Sequence, residues 1–201
     1  MSDDLIEVSI ANDANPTTFN YNSAGNLIDH ESVYNICNHL AENDFYIYSY
    51  YERGKLRVKV IKADKKTTLY TFNLFDQLTE VKVYKSTAQQ NLLEQYDYSY
   101  DALNRRVSKS YLNTQEPQKS FSHTYLYDDE NIIAILDKEE NILATLVHSS
   151  QIDTPLSICN EMEGETYYYH ANHQGSITHL TNDVGDVVES FIYDTMLMVQ
   201  Y

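Results

Sequence analysis

Three histidines, His170, His173 and His179, with His148 a short way upstream, are the residues whose type best suits chemistry. Three imidazoles can hold zinc and leave a fourth position open for water, the arrangement of a metal-dependent hydrolase. The spacing argues against it, because His179 falls in an alternating strand pattern, where a third residue shares the face of the other two by chance half the time. The acid pairs Asp128-Asp129 and Glu139-Glu140 are adjacent in turn-like stretches, where solvated loop carboxylates are the simpler reading than a general acid and base. Ser149-Ser150 beside His148 lacks the glycines that lift a nucleophile onto a sharp turn. The sequence therefore predicts no catalytic residue, no metal and no cofactor.

Composition narrows the partners. A net charge of −16 disfavours nucleic acid and anionic membrane surfaces, both of which reward Lys and Arg. No run approaches the roughly 18 apolar residues of a membrane-spanning helix. The opening Met1-Ser2-Asp3-Asp4 is acidic and is not a secretory signal, so the chain reads as cytoplasmic as encoded. Cys37 and Cys159 lie far apart with no metal-site spacing and read as two buried thiols. The aromatic choice is unusual, with 19 Tyr, 6 Phe and no Trp. Tyrosine suits a half-buried pleated face, its ring packed and its hydroxyl free to reach a partner.

The elements that carry these residues follow a repeated outline. Tyr98-Ser99-Tyr100-Asp101-Ala102-Leu103-Asn104-Arg105-Arg106-Val107 reads as an alternating strand, an Asp-led turn, and a second strand opening at Arg105. An aromatic likewise stands six positions ahead of a resumed strand at Tyr21 and Leu27, Tyr50 and Leu56, Phe72 and Leu78, and Tyr127 and Ile133. Successive aromatics of this set are 29, 22, 28 and 27 residues apart, the step of a repeat architecture whose units bury their faces only by stacking. The expectation is an all-β array of antiparallel hairpins in one domain, 1–201.

Taken in order, Leu5 to Ile10 reads as a weak strand. Val33, Ile36, Cys37 and Leu40 recur at helical spacing behind Ser32, which predicts one short amphipathic helix over 32–43, with His39 solvated on it. Leu56, Val58 and Val60 alternate with Arg57 and Lys59 and predict a strand buried on one face. Further hairpin strands are expected at Phe121 to Tyr127, Ile132 to Leu136, Ile142 to Val147, Thr166 to Tyr169, Ser176 to Thr181 and Val187 to Tyr193.

The Tyr98 to Arg106 stretch resembles the YD-repeat consensus of the Rhs family. Tyr125-Leu126-Tyr127-Asp128 through Asp153-Thr154-Pro155-Leu156 resembles the stretch that follows it in the Rhs core. Tyr168-Tyr169-His170-Ala171-Asn172-His173-Gln174-Gly175-Ser176, then Leu180-Thr181-Asn182 and Gly185-Asp186-Val187-Val188, is similar to the family's core block. The resemblance is strongest over 98–194, with 17–97 similar to degenerate repeats. It implies that Tyr98, Tyr100, Asp101, Arg105, Arg106, Tyr127, Asp128, Tyr169, His170, His173, Gly175, Ser176, Tyr193 and Asp194 are structural motif positions, with His170 and His173 hydrogen-bonding in a turn. It also implies a curved, spiralling sheet that at full length closes into a hollow shell. In Rhs effectors and insecticidal toxin complexes such a shell encloses a polymorphic toxin, and the full-length proteins are exported by a secretion apparatus. The related teneurin shell serves adhesion.

The sequence departs from the family in two ways. Asn104, Asn131 and Glu140 stand where the family usually places turn glycines, so these residues are expected to take left-handed backbone conformations. The resemblance also implies a Gly-bearing turn after Tyr193-Asp194 and, further on, a self-cleaving segment. Thr195-Met196-Leu197-Met198-Val199-Gln200-Tyr201 supplies neither, and the expectation is a truncated relic whose reading frame was lost after Asp194. The leading functional reading is a structural piece of an encapsulating shell without enzymatic activity, its partners being shell, toxin or immunity polypeptides. The alternatives are a glycan- or protein-binding adhesion module using the Tyr-rich strands, and a zinc hydrolase at His170, His173 and His179. Open sheet edges, near Leu56 to Val60 or Val187 to Tyr193, are expected to promote self-association.

Overall fold

The computed structural model describes residues 5–8, 17–28, 31–151 and 153–193. Two compact units divide the chain, Met1–Tyr96 with Leu112–Lys119, and Asp97–Tyr111 with Ser120–Tyr201. In the first, β1 (Leu5–Val8) pairs antiparallel with β2 (Thr17–Asn20). A meander then runs through β3 (Val33–Tyr34), β4 (Leu40–Glu42), β5 (Tyr46–Tyr50), β6 (Leu56–Ile61), β7 (Thr67–Phe72) and β8 (Leu78–Tyr84). Strands β9 (Leu92–Tyr100) and β10 (Arg106–Asn113) each contribute residues to both units. The second unit continues with β11 (Phe121–Asp128), β12 (Asn131–Leu136), β13 (Ile142–His148), β14 (Pro155–Asn160), β15 (Glu165–Ala171), β16 (Ile177–Thr181) and β17 (Val187–Ser190). Hydrogen-bonded neighbours follow chain order from β3 to β17, as a hairpin array requires. Apart from a single 3-10 turn at Pro117–Lys119, the described residues contain no helix.

One turn geometry closes half of the hairpins from β3 to β17 and the isolated Tyr21–Leu27 bridge. It recurs at 22–26, 35–39, 51–55, 73–77, 101–105, 137–141, 172–176 and 182–186. In each, the first residue's carbonyl accepts from the N–H of the fourth, and its own N–H donates to the carbonyl of the fifth. The fourth residue has a positive φ, from 62° at Asp76 to 89° at Gly185. In seven of the eight the first residue is Asn or Asp, whose Oδ1 accepts from the N–H groups of the third and fifth residues. That short side chain satisfies two main-chain donors that the turn would otherwise leave to water.

The same geometry overturns the helix expected over 32–43. Asn35 accepts from the N–H groups of Cys37 and His39, and Asn38 takes a φ of 64°, so the segment is a hairpin turn between β3 and β4. A helix there would have had no apolar face to bury, since Ile36 and Cys37 are both exposed. Cys37 is therefore not the buried thiol expected, and Cys159 is only half-buried. His39 is not simply solvated, because its ring lies 4.7 Å from that of Tyr50.

Left-handed residues fall at Asn104 (φ 68°) and Glu140 (φ 66°), as their turn positions demand. Asn131 instead opens β12, and Asp129 (φ 51°) takes the left-handed conformation in its place. The register pairs Asp128 directly with Asn131, which leaves Asp129 and Glu130 as a two-residue turn. Left-handed backbone costs a residue with a Cβ roughly 1–2 kcal/mol, against which glycine's extra unfolded-state freedom weighs roughly 0.5–1. Glu140→Gly is accordingly expected to raise stability by about 0.5–1 kcal/mol, and the melting temperature by about 1–4 °C. A thermal melt of the variant beside the parent checks this.

Packing is spread thinly over both faces of the sheet. One face of the first unit carries the ladder Tyr48, Lys59, Thr68, Val83 across β5 to β8, and the other carries Ile47, Val60, Thr67, Tyr84. Strand β6 is thus not buried on one face alone. Lys59, on the polar side of the alternation, lays its ammonium 3.9 Å from the centre of the Tyr46 ring, and burial pushes its pKa down. On the same face burial, then the neighbouring Tyr46, Tyr50 and Tyr70, push the Tyr48 phenol up to about 12. Only Thr67, Val83, Tyr125, Ala134 and Leu180 among the described residues are less than a tenth exposed. Strand β6 lies between β5 and β7, so the open edge expected at Leu56 to Val60 does not exist. Among the described residues strand β17 pairs with β16 alone and forms an edge.

Candidate functional site

The stretch the sequence singled out forms a staple between two hairpins of the second unit. Asp101 Oδ1 takes the N–H groups of Leu103 and Arg105 at 2.9 Å each, fixing the 101–105 turn. Its Oδ2 takes Arg105 Nε at 2.8 Å and Nη2 at 2.7 Å, a two-pronged pair. Partial burial raises the Asp101 pKa, but hydrogen bonds from Arg105 and Leu103 outweigh it and hold the carboxyl below its ordinary value. The Arg105 guanidinium lies 4.8 Å from the Tyr127 ring centre, and its Nη1 donates to the Asp129 carbonyl in the next turn. Arg106 reaches the rings of Tyr98 (5.7 Å) and Tyr125 (5.4 Å) together. Tyr127 closes the staple by donating its hydroxyl to the Arg106 carbonyl at 2.8 Å.

That last bond belongs to a pattern. Tyr34, Tyr50, Tyr127 and Tyr193 each donate their hydroxyl to a main-chain carbonyl, of Leu27, Leu40, Arg106 and Ile177 in turn, at 2.7–2.8 Å. Every one of these carbonyls belongs to the residue immediately after an earlier five-residue turn, which for Tyr193 is 172–176 and not the nearer 182–186. The tyrosine thus ties its own strand to an earlier hairpin, while after Tyr34 and Tyr127 the Asx residue that follows, Asn35 or Asp128, shapes or enters the next turn. The sequence reading found the aromatics but not their hydroxyl partners. The common signal was present: Tyr34-Asn35-x-x-Asn38 has the same outline as Tyr21-Asn22-x-x-Gly25 and Tyr100-Asp101-x-x-Asn104.

The histidines do not converge. His170 and His179 are opposite each other on β15 and β16, their rings stacked at 4.4 Å and 5° from parallel. His170 Nε2 meets Thr181 Oγ1 at 2.9 Å, and His179 Nδ1 meets Thr178 Oγ1 at 3.0 Å. His170 is therefore a strand residue rather than a turn residue. His173 is exposed in the 172–176 turn, which Gly175 (φ 84°) and the Ser176 N–H, bonded to Asn172 Oδ1, complete. Parallel rings direct their lone pairs side by side, not toward one point at the 2.0–2.1 Å that zinc requires. Among the described residues no group of three or more His, Cys, Asp or Glu could hold a metal. His148 Nε2 meets the Ile132 carbonyl at 2.8 Å. Tyr100 ends β9, Tyr169 pairs with Leu180 on the half-buried face, Tyr193 makes the tether above, and Asp194 lies outside the described residues.

One histidine has a consequence for stability. His123 stacks on Phe121 at 4.3 Å and faces Lys109 across β10 and β11. Burial first, and the Lys109 charge second, hold its pKa below 6.5. The unfolded chain then binds the proton first, so stability is expected to fall as pH drops below about 6.5. Melts at about pH 7.5 and 5.5 should show a smaller difference for His123→Gln than for the parent.

Hairpins in chain order, with seven Asx-capped turns and four tyrosine hydroxyls tying strands back to earlier hairpins, define a YD-repeat β wall. The sequence matches the family model described as Teneurin YD-shell over residues 1–196, and the chain belongs to that family of Rhs and YD-repeat shell proteins. Among solved structures it is similar to a chain of the Photorhabdus luminescens Tc holotoxin pore, with 14% identity and a TM-score of 0.46, covering 93% of this chain and 9% of that one. It is also similar to a chain in the crystal structure of TcdB2-TccC3 without its hypervariable C-terminal region, with 12% identity and a TM-score of 0.38, covering 96% and 10%. The chain thus spans about a tenth of the length of either. No curated protein matches. No helix among the described residues is long and apolar enough to cross a membrane.

Proposed function

We propose that this chain is a stretch of wall in a YD-repeat shell, that the completed shell encloses a polypeptide cargo of the toxin type, and that the chain performs no catalysis. The tyrosine tether carries the reading. Four tyrosine hydroxyls, and Asp101 through Arg105, are committed to holding hairpins together. Family membership supports the wall, and the Tc chains to which this one is similar belong to toxin assemblies. An adhesion module that stacks glycans on Tyr98 and Tyr125 has less support, because Arg106 occupies those rings and Tyr125 is 8% exposed. The test is to sequence the reading frames adjoining the gene and co-express them with this chain. The expected result is that one encodes further YD hairpins, and that a co-purified cargo resists trypsin while assembled. If the flanking frames hold no YD hairpins and nothing co-purifies, the reading fails.

A further inference from the structure

The 51–55 turn is the one of the eight that lacks an Asx cap, and what replaces the cap builds a cavity. Tyr51 stands at the capping position and sends its hydroxyl away from the turn to the Tyr70 carbonyl at 3.0 Å. Its ring meets Phe72 edge-on at 6.3 Å. Between this turn and the 73–77 turn lies an open cavity of about 500 Å³ in the first unit, walled by these two rings. Three of the chain's 14 cations, Arg53, Lys55 and Arg57, line it. Arg53 is partly satisfied by Asp76 at 3.9 Å. Lys55 and Arg57 lie over the rings of Phe72 (5.9 Å) and Tyr51 (5.6 Å), with no carboxylate partner among the described residues.

In a chain carrying −16, two unpaired cations on an aromatic floor form a site of opposite sign to the rest of the molecule. Glu52 and Asp76 also line the cavity, so its surplus of positive charge is small. That balance neutralises a single carboxylate, whereas a phosphate dianion would be left with uncompensated charge in a chain already carrying −16. On the 73–77 turn Leu74 and Phe75 are 88% and 84% exposed, and Leu74 borders the cavity. Apolar residues so exposed beside a basic cavity suit a chain that carries both an acid and an aliphatic side chain.

We propose that the cavity between the 51–55 and 73–77 turns is a docking site for an acidic, apolar peptide segment of a partner polypeptide. A carboxylate of that segment pairs with Lys55 and Arg57, and an aliphatic side chain packs on Leu74 and Phe75. The proposal stands independently of what the shell encloses.

The probe is an octapeptide with blocked termini and an uncharged methoxycoumarin label, carrying one Glu among Leu and Ser residues, titrated with the full chain, beside a control with Gln in place of the Glu. Saturable binding of the Glu peptide alone is expected, weakened by salt. Lys55→Gln with Arg57→Gln should weaken it about tenfold, equivalent to about 1.4 kcal/mol. Leu74→Ser with Phe75→Ser, at exposed turn positions, should weaken it as well. Amide NMR shifts of the parent protein on peptide addition should concentrate in 51–57 and 73–77, a readout that requires no variant to fold. Equal binding of the Gln peptide, no saturation up to about 1 mM, or shifts spread elsewhere would overturn the proposal.

Discussion

Tyr125→Ala is expected to destabilise the protein by about 3–5 kcal/mol, the range for deleting a large buried aromatic side chain. Against the roughly 5–15 kcal/mol that holds a typical domain folded, such a loss is severe. Tyr125 is one of four apolar residues below a tenth exposed among those described, in a sheet whose other side chains are mostly half-buried. Its ring lies opposite Ile135 and beneath the Arg106 guanidinium, which also spans Tyr98, so removing it also unseats the arginine. Tyr125→Phe keeps the ring and should cost no more than about 1.5 kcal/mol, the worth of a hydrogen bond. Urea denaturation of both variants separates the cases. An alanine variant within about 1 kcal/mol of the parent would mean that packing at this ring does not hold the second unit together.

The second large effect concerns association. Among the described residues strand β17 pairs only with β16, and Val187 and Val188 are exposed on it. Phe191 N–H donates inward to the Thr178 carbonyl at 2.9 Å, and the register pairs Glu189 with Leu180. With the alternation of an antiparallel ladder, the N–H groups of Val188 and Ser190 point outward, unpaired within the sheet. An open row of this kind templates a further strand. The purified chain is therefore expected to self-associate at tens of micromolar (order of magnitude). Val188→Pro removes one outward donor, leaves the pairing with β16 intact, and should shift the population toward monomer. Light scattering across a concentration series reads both results. A parent that stays monomeric would show that the β17 edge is blocked.

Much of the hairpin array was legible because strands advertise themselves by alternation, as at Leu56 to Val60 or Phe121 to Tyr127. The segment 32–43 misled for a physical reason. Val33, Ile36, Cys37 and Leu40 fit a helical stripe by type, but a stripe means nothing unless something covers it, and Ile36 faces solvent. The turn chemistry of Asn35 and Asn38 was the better guide. The edge assignments divided the same way. An alternating strand such as β6 looks alike in the middle of a sheet and at its rim, because sequence encodes faces and not neighbours. At the candidate site, Asp101, Arg105 and Arg106 were visible as a motif, whereas the Tyr51 cavity was not. Its signal is the missing Asn or Asp at one turn among eight, which becomes readable only once the common turn geometry is known.

The central claim is that this chain continues as the wall of a larger β shell. Electron cryo-microscopy of the assembly captured from its source through a tag on this chain tests it most directly. The account predicts a hollow β shell in which Val187–Ser190 is hydrogen-bonded on its outer side to a strand of the next YD hairpin. An assembly in which that strand ends in solvent, on a body with no enclosed space, would contradict it.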